Sequence, residues 1–150
     1  MFAKKIIAAA IVAFLLTAPV MAQSSTPEGV VDKWAKVWNS HDPVEYGKLF
    51  TTDAHFIVVY DEINQGREKI VADFKLAHGG WAKMARMKPG KVSTRRLGDK
   101  AAVVYFNVLT EMTSSPQVPG QGRTVQFVVI KERSGWLISA GQLSKPNCPK

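Results

Sequence analysis

The chain has 150 residues, of which 46% are hydrophobic and 21% charged, and its formal net charge is +8 at pH 7. A length of this order suits one domain with one core. The single cysteine, Cys148, excludes an internal disulfide and leaves either an idle thiol or a bridge between two chains.

The first residues predict an export signal. Lys4 and Lys5 precede an unbroken apolar run over residues 6–16, which is followed by Pro19 and a small residue, Ala22. This layout is typical of a cleaved secretory signal and is too short to span a membrane stably. We therefore expect cleavage near Ala22 and a periplasmic or secreted protein, the alternative being an uncleaved anchor.

Removal of this signal, residues 1–22, leaves 18 basic against 12 acidic residues, a formal net charge of +6. An exported chain meets anionic lipids and cell-wall polymers more often than nucleic acid, so we expect no nucleic-acid partner. We also expect no stable membrane insertion after cleavage. The folded domain is predicted over residues 23–143, followed by a poorly ordered tail over residues 144–150.

Three helices are predicted in the first half of this domain. The first has a Thr26-Pro27 start and carries apolar residues at helical spacing: Val30, Trp34, Val37 and Trp38. After a turn over residues 39–43, a short second helix carries Tyr46, Leu49 and Phe50. The third places Ile70, Phe74 and Ala77 on one stripe until Gly79-Gly80, and residues 81–87 add a further turn or two.

Strands make up the remainder. Residues 54–60 are dense in β-branched and aromatic side chains, and a turn at residues 64–66 follows. Two hairpins then pair residues 91–97 with 101–113 and residues 123–133 with 136–143. Helices followed by an antiparallel meander predict an α+β class, with the helices packed on one face of the sheet.

The order W…WNSHD…Y..LFTTDAHF…NQGREKI, followed by two long hairpins, resembles the nuclear transport factor 2-like superfamily, which includes SnoaL-like cyclases and ketosteroid isomerases. The resemblance covers residues 23–143. It implies a cone in which a strongly curved sheet wraps three helices around a deep pocket, and it implies a homodimer. The fold hosts enzymes as well as binding and docking domains, so it does not set the function.

The resemblance also implies where isomerase-like relatives place their catalytic groups. Their general base would fall on Val58, their helix tyrosine on Trp34 and their second acid near Val128. Losing such a base or donor costs about 10²–10⁴ in rate, so isomerase chemistry by that mechanism is not expected.

Strand alternation predicts which residues face the pocket. On the first strand Ala54, Phe56, Val58 and Tyr60 share the inner face, and Trp34 and Trp38 join them from the first helix. From the later strands we assign these residues to the inside: Val103, Tyr105, Asn107, Leu109, Glu111, Gln126, Val128 and Ile130. In the alternative, Tyr105 and Asn107 bond each other or the backbone in a filled core, and Glu111 reaches water.

The histidines are assigned separately. His55 has the parity of the outer face, and His41-Asp42 is interpreted as turn chemistry rather than a catalytic pair. His78 lies near the end of the third helix, where it either complements the helix dipole or reaches the pocket. The weak catalytic candidates are therefore Tyr60, His78, Tyr105 and Glu111, with Asn107 as a polar neighbour.

The sequence shows no motif for a metal site, a nucleophilic enzyme or a phosphate-binding loop. The three histidines show no metal-ligand spacing, and no nucleophile elbow or phosphate-binding glycine loop is present. We predict no metal and no cofactor.

The distribution of charge and the second face of the sheet predict surfaces that interact with other molecules. No acidic residue lies between Asp73 and Asp99, whereas seven basic ones do: Lys75, Lys83, Arg86, Lys88, Lys91, Arg95 and Arg96. This run is either a solvated face or a surface that steers an anionic ligand or surface toward the cone. The alternating set Val104, Phe106, Val108, Met112, Phe127 and Val129 is predicted to be a self-association face, because helices cover only one side of the sheet.

Three hypotheses of function follow. The leading one is an exported domain that binds a small apolar or anionic molecule. The alternative is a SnoaL- or isomerase-like enzyme with non-standard catalytic residues, for which at least one carboxylate or imidazole must converge on the cavity with a perturbed pKa. The third is a protein-docking module that uses the basic run.

Overall fold

A computed structural model describes residues 23–58, 62–114 and 121–144. Tyr60 and Cys148, on which predictions were made, lie outside these residues, as does the predicted signal. The elements are α1 (Gly29–Ser40), α2 (Pro43–Gly47), β1 (Phe50–Ile57), β2 (Ile63–Gln65), α3 (Arg67–Gly79), a 3-10 turn (Trp81–Met84), β3 (Ala85–Arg96), β4 (Ala101–Met112), β5 (Gln121–Glu132) and β6 (Gly135–Leu143).

The six strands form one sheet in the order β2-β1-β6-β5-β4-β3. Four neighbouring pairs are antiparallel, whereas β1 runs parallel to β6, so the predicted meander is closed by one parallel junction. Register shifts interrupt three pairs, β1–β6, β3–β4 and β5–β6. Such bulges bend a sheet, and here they curve it around the helices. The α+β cone is confirmed.

Local chemistry fixes the helix ends. The Thr26 hydroxyl accepts a hydrogen bond of 3.1 Å from the Gly29 N–H at the start of α1. The Asp42 carboxylate accepts from the Val44 and Glu45 N–H groups and so caps α2, which confirms its assignment to turn chemistry. None of the helices in the described part of the chain is long and apolar enough to cross a bilayer.

Two polar side chains tie the helices to the sheet. The Asn39 amide donates to the Met87 carbonyl and accepts from the Met87 N–H, both at 2.9 Å, which joins the end of α1 to β3. The Arg67 guanidinium donates twice to the Phe50 carbonyl and joins α3 to β1. These bonds set the position of α1 and α3 over the concave face.

β3 is longer than predicted. It begins at Ala85, directly after the 3-10 turn, and continues through Pro89 and Gly90, whereas the sequence predicted a strand over residues 91–97. β3 is one of the two edge strands, and its register shifts between Pro89 and Val92. A bulge on an edge strand tolerates proline because no ladder N–H is needed there, so the pair bends the strand without ending it.

The predicted facing of β4 and β5 is wrong. The residues that alternate with the predicted inner set are at most 2% exposed and form the core with α1: Ala102, Val104, Phe106, Val108, Val125, Phe127 and Val129. The residues assigned to the inside therefore lie on the outer face, and the predicted self-association set is the core. Both apolar sets have the period of two, and the period alone does not state which face the helices cover.

Candidate ligand site in the cone

A cavity of about 440 Å³ lies between α1, α3 and the concave face of the sheet, which is within the range of small-molecule sites. Its walls are mostly apolar: Trp34, Trp38, Phe56, Val58, Ile70, Phe74, Ala77, Trp81, Met87, Met112 and Leu143. Its polar groups come from both helices and strands: Tyr46, Glu62, Asn64, Asp73, His78, Thr110 and Arg123.

One face of α3 supplies five of the lining residues. Ile70, Asp73, Phe74, Ala77 and His78 stand at i, i+3, i+4, i+7 and i+8. This spacing places side chains on one face of a helix. Asp73 and His78 are about 7.5 Å apart along the helix axis, from a rise of about 1.5 Å per residue. A carboxyl and an imidazole thus face the same cavity.

His78 forms a pair with His41. Their Nδ1 atoms are 2.6 Å apart, so one imidazole donates its Nδ1–H and the other accepts. His41 has a left-handed backbone with φ of 58° at the end of α1, a conformation that non-glycine residues seldom adopt. This backbone turns the His41 side chain toward α3.

The surroundings of His78 keep it neutral. Its ring stacks on Phe74 with centroids 3.8 Å apart and meets the Trp38 ring edge-on at 4.5 Å. Burial, and then the charge of His41, lower the pKa of His78 to about 4. The Nε2 atom is buried and has no hydrogen-bond partner among the described residues. At neutral pH, His78 is therefore an uncharged side chain in the cavity wall.

Asp73 is shifted in the opposite direction. Burial, and then the nearby negative charge of Glu62, raise the pKa of the Asp73 carboxyl. Glu62 itself forms an exposed ion pair with Lys69, at 3.3 Å. The same cavity thus combines an imidazole that resists protonation with a carboxyl that retains its proton more readily than usual.

Three further polar groups line the walls. Asn64 is 1% exposed and its amide interacts with the Asp73 carboxyl, while the Thr110 hydroxyl is buried and has no hydrogen-bond partner in the described part of the chain. The Tyr46 oxygen accepts a hydrogen bond of 3.3 Å from the Trp34 indole N–H, and burial raises the pKa of Tyr46. That bond leaves the phenolic hydrogen of Tyr46 as a donor.

The predicted site residues divide into two groups. Trp34, Trp38, Phe56, Val58 and His78 line the cavity. The others that the structure describes are on the outer face of the sheet, away from it: Tyr105, Asn107, Glu111, Gln126 and Val128.

Each outer residue has a surface environment. Tyr105 is 42% exposed, and the Asn107 amide oxygen accepts from the Thr124 hydroxyl at 3.3 Å. Glu111 pairs with Lys88 at 2.6 Å. The assignment of these residues to the cavity is wrong for the reason given above, the inverted facing of β4 and β5. His55 is exposed, as its parity predicted.

Several lining residues were missed by the sequence analysis. Asp73 and Thr110 carried a usable signal, since Asp73 stands on the apolar stripe of α3 and Thr110 alternates with the apolar set of β4. Tyr46 was placed on α2 but not assigned to the pocket. Neither the left-handed turn at His41 nor the burial of Asn64 in β2 is signalled by residue type alone.

No protein-family model and no curated protein matches the sequence. Solved structures do match the fold. A calcium/calmodulin-dependent protein kinase II association domain, named "putative", from Thiobacillus denitrificans superposes with a TM-score of 0.74 at 16% identity, covering 84% of this chain and 98% of that chain.

Two structures from Novosphingobium aromaticivorans also match with TM-scores of 0.70. One is an NTF2-like protein with a cystatin-like fold, at 14% identity over 79% of this chain and 78% of that one. The other, named "Putative Scytalone Dehydratase", is 15% identical over 81% of each chain. At such identities the matches establish architecture alone. The curved six-stranded sheet, the three helices and these superpositions together show that the chain has the nuclear transport factor 2-like, or cystatin-like, fold.

Proposed function

We propose that the chain binds a small, largely apolar molecule inside the cone. The observation that carries the proposal is the cavity itself, about 440 Å³ with mostly apolar walls and a few polar side chains, among them Asn64, Asp73, His78 and Thr110. An apolar cleft with a few placed polar groups is typical of such a site.

The residues that line the cavity also indicate which kind of ligand would fit. The rings of Trp34, Trp38 and Phe74 favour a molecule with an apolar, flat body. Glu62 and Arg123 give the wall charged groups of both signs. A neutral ligand with one or two hydrogen-bonding groups fits this balance better than a strongly anionic one.

Binding can be tested with 2-naphthol, a neutral aromatic probe, by quenching of tryptophan fluorescence. Ala77→Phe fills the cavity from α3 and is expected to weaken binding more than tenfold. Ala72→Phe makes the same change on the exposed side of the same helix and is the matched control. Equal affinities in the two variants would contradict a site in the cone.

The natural ligand calls for a separate measurement. Native mass spectrometry of the protein purified from its own host is expected to show a bound small molecule that Ala77→Phe lacks. The same spectrum reports the oligomeric state and any bridge through Cys148.

A second candidate is an acid–base enzyme, which the convergence of Asp73 and His78 favours. Elimination of water needs a base that removes a proton and an acid that protonates the departing hydroxyl. The imidazole of His78 would serve as the base, and the carboxyl of Asp73, whose pKa burial raises, would serve as the acid. Such a reaction fits the chemistry named for one neighbour of the same fold.

The enzyme hypothesis makes a distinct prediction. Asp73→Asn and His78→Asn are expected to retain a bound molecule that is heavier, by one water, than the molecule bound to the unmodified protein. The same bound mass in all three proteins would support binding without conversion.

We further propose an exported homodimer that associates through the outer face of the sheet. Tyr105 and Leu109 are 42% and 37% exposed on this face, next to the partly buried Val103 and Val128. Large apolar side chains grouped on a solvent-facing sheet favour association with a second surface.

A further inference from the structure

Three large apolar side chains stand in solvent where α3 ends and the 3-10 turn follows. Leu76 is 79% exposed, Trp81 51% and Met84 47%. We call these three residues the apolar tip. Single exposed apolar side chains are common, but a group of three on one short segment marks an interaction surface.

The exposed charged side chains on the segment of the apolar tip are basic, and Glu111, which lies opposite Arg86 on β4, is paired with Lys88 at 2.6 Å. Lys75, Lys83 and Arg86 are exposed, and within the described ranges none of them forms an ion pair. No acidic residue occurs between Asp73 and Asp99 in the sequence. Lys75, Lys83 and Arg86 therefore give the exposed apolar side chains an electropositive surround, whereas Lys88 of the same basic run is paired with Glu111.

The apolar tip shares one residue with the cavity. Trp81 lines the cavity wall while half of its surface faces solvent. Its ring centroid is 6.4 Å from that of Trp38, which in turn contacts His78. A surface bound to the apolar tip would thus lie at the cavity wall.

We propose that the apolar tip docks on an anionic lipid bilayer. Leu76 and Met84 gain free energy by entering the hydrocarbon boundary, Trp81 suits the interface, and the surrounding cations attract anionic headgroups. A nucleic acid or an acidic polysaccharide would satisfy the cations but would give Leu76 and Met84 no apolar partner. Docking in this orientation lets an apolar ligand pass between the lipid phase and the cavity, a consequence that rests on the proposed binding function.

Vesicle flotation of the intact protein from its own host tests the docking itself. Vesicles of phosphatidylcholine with phosphatidylglycerol are compared with vesicles of phosphatidylcholine alone. Binding is expected only to the anionic vesicles, and it is expected to fall as salt is raised. Binding to neither, or equal binding to both, overturns the proposal.

Matched variants locate the contact. Leu76→Ser is expected to weaken vesicle binding about tenfold, and Lys83→Gln about fivefold, the value of one cation near an anionic surface. Leu97→Ser and Lys131→Gln remove an exposed apolar side chain and an exposed cation elsewhere on the sheet, and are expected to change nothing. A loss with the Leu97 or Lys131 variant, but not with the other two, would place the contact elsewhere and overturn the proposal.

A protein partner is the other candidate occupant of the same surface. The purified protein and vesicles contain no such partner, so vesicle binding supports lipid, and failure to bind rejects it. Leu76 does not line the cavity, so Leu76→Ser is expected to bind 2-naphthol normally. Loss of naphthol binding in Ala77→Phe and loss of vesicle binding in Leu76→Ser are therefore separate results.

Discussion

The pH dependence of stability tests the environment of His78 directly. An ordinary histidine has a pKa of 6.5, and in the folded chain burial lowers the pKa of His78 to about 4. Between these pH values the unfolded chain binds a proton that the folded chain does not bind. The stability contributed by His78 is therefore fully present above about pH 6.5 and is lost as the pH falls toward 4.

The size of the effect follows from the two pKa values. Their difference corresponds to about 3 kcal/mol in the free energy of unfolding. The His78 ring is partly open to water, and solvent screening reduces this figure to about 1 to 2 kcal/mol. Acidification from neutral pH to about pH 4 should therefore cost the protein this amount through His78, in addition to losses common to every variant.

The assay is urea unfolding followed by tryptophan fluorescence, at neutral pH and at about pH 4, for the unmodified protein and for His78→Asn. Asparagine keeps a hydrogen-bonding group opposite His41 Nδ1 but does not titrate. The variant should lose about 1 to 2 kcal/mol less on acidification. His55→Asn removes an exposed histidine and is the control. If His78→Asn loses as much stability as the unmodified protein, the neutral, partly buried state assigned to His78 is wrong.

Further predictions concern Asp73, the strand packing and the outer face. Because burial raises the Asp73 pKa, the folded state disfavours its charged form, so Asp73→Asn should unfold at higher urea at neutral pH and show no gain below the ordinary aspartate pKa. A methyl group at Gly141 would lie 2.5 Å from a Phe56 ring carbon, so Gly141→Ala should cost about 1 to 3 kcal/mol in urea unfolding. The matched strand variant Gly122→Ala, which meets no atom within 4 Å, should change stability by less than about 0.5 kcal/mol. Light scattering should show a dimer at micromolar concentration and a monomer for Tyr105→Glu, whereas a monomeric unmodified protein would reject self-association.

The sequence predicted the helices of this fold well because their signals are local. The spacing of Val30, Trp34, Val37 and Trp38 defines one face of α1, and all four residues are buried. The stripe of α3 was found in the same way. The use of local signals also explains why Phe50 was misassigned. It continues the apolar pattern of α2, but in the structure it begins β1, where it lies beside Ile138 of β6.

The site was predicted only in part because its members meet through the tertiary structure. Four residues were assigned to the cavity correctly: Trp34, Trp38, Phe56 and Val58. They come from one helix and one strand that are close together in the sequence. His41 and His78 are 37 residues apart, and their contact depends on how α1 and α3 end over the same part of the sheet. Residue types and spacing carry no information about that meeting.

The sequence by itself therefore determined the α+β class, the apolar face of each helix and the alternation of each strand, because helix and strand periods are properties of the local chain. Only the tertiary structure decided which side of β4 and β5 the helices cover. Phe106 and Phe127 meet Trp34 edge-on at 5.7 and 5.5 Å, which fixes that side as the core. A one-residue change of facing exchanges every side chain between core and solvent, so the packing of α1 against the sheet, and not the strand pattern, selected the residues that surround the cavity.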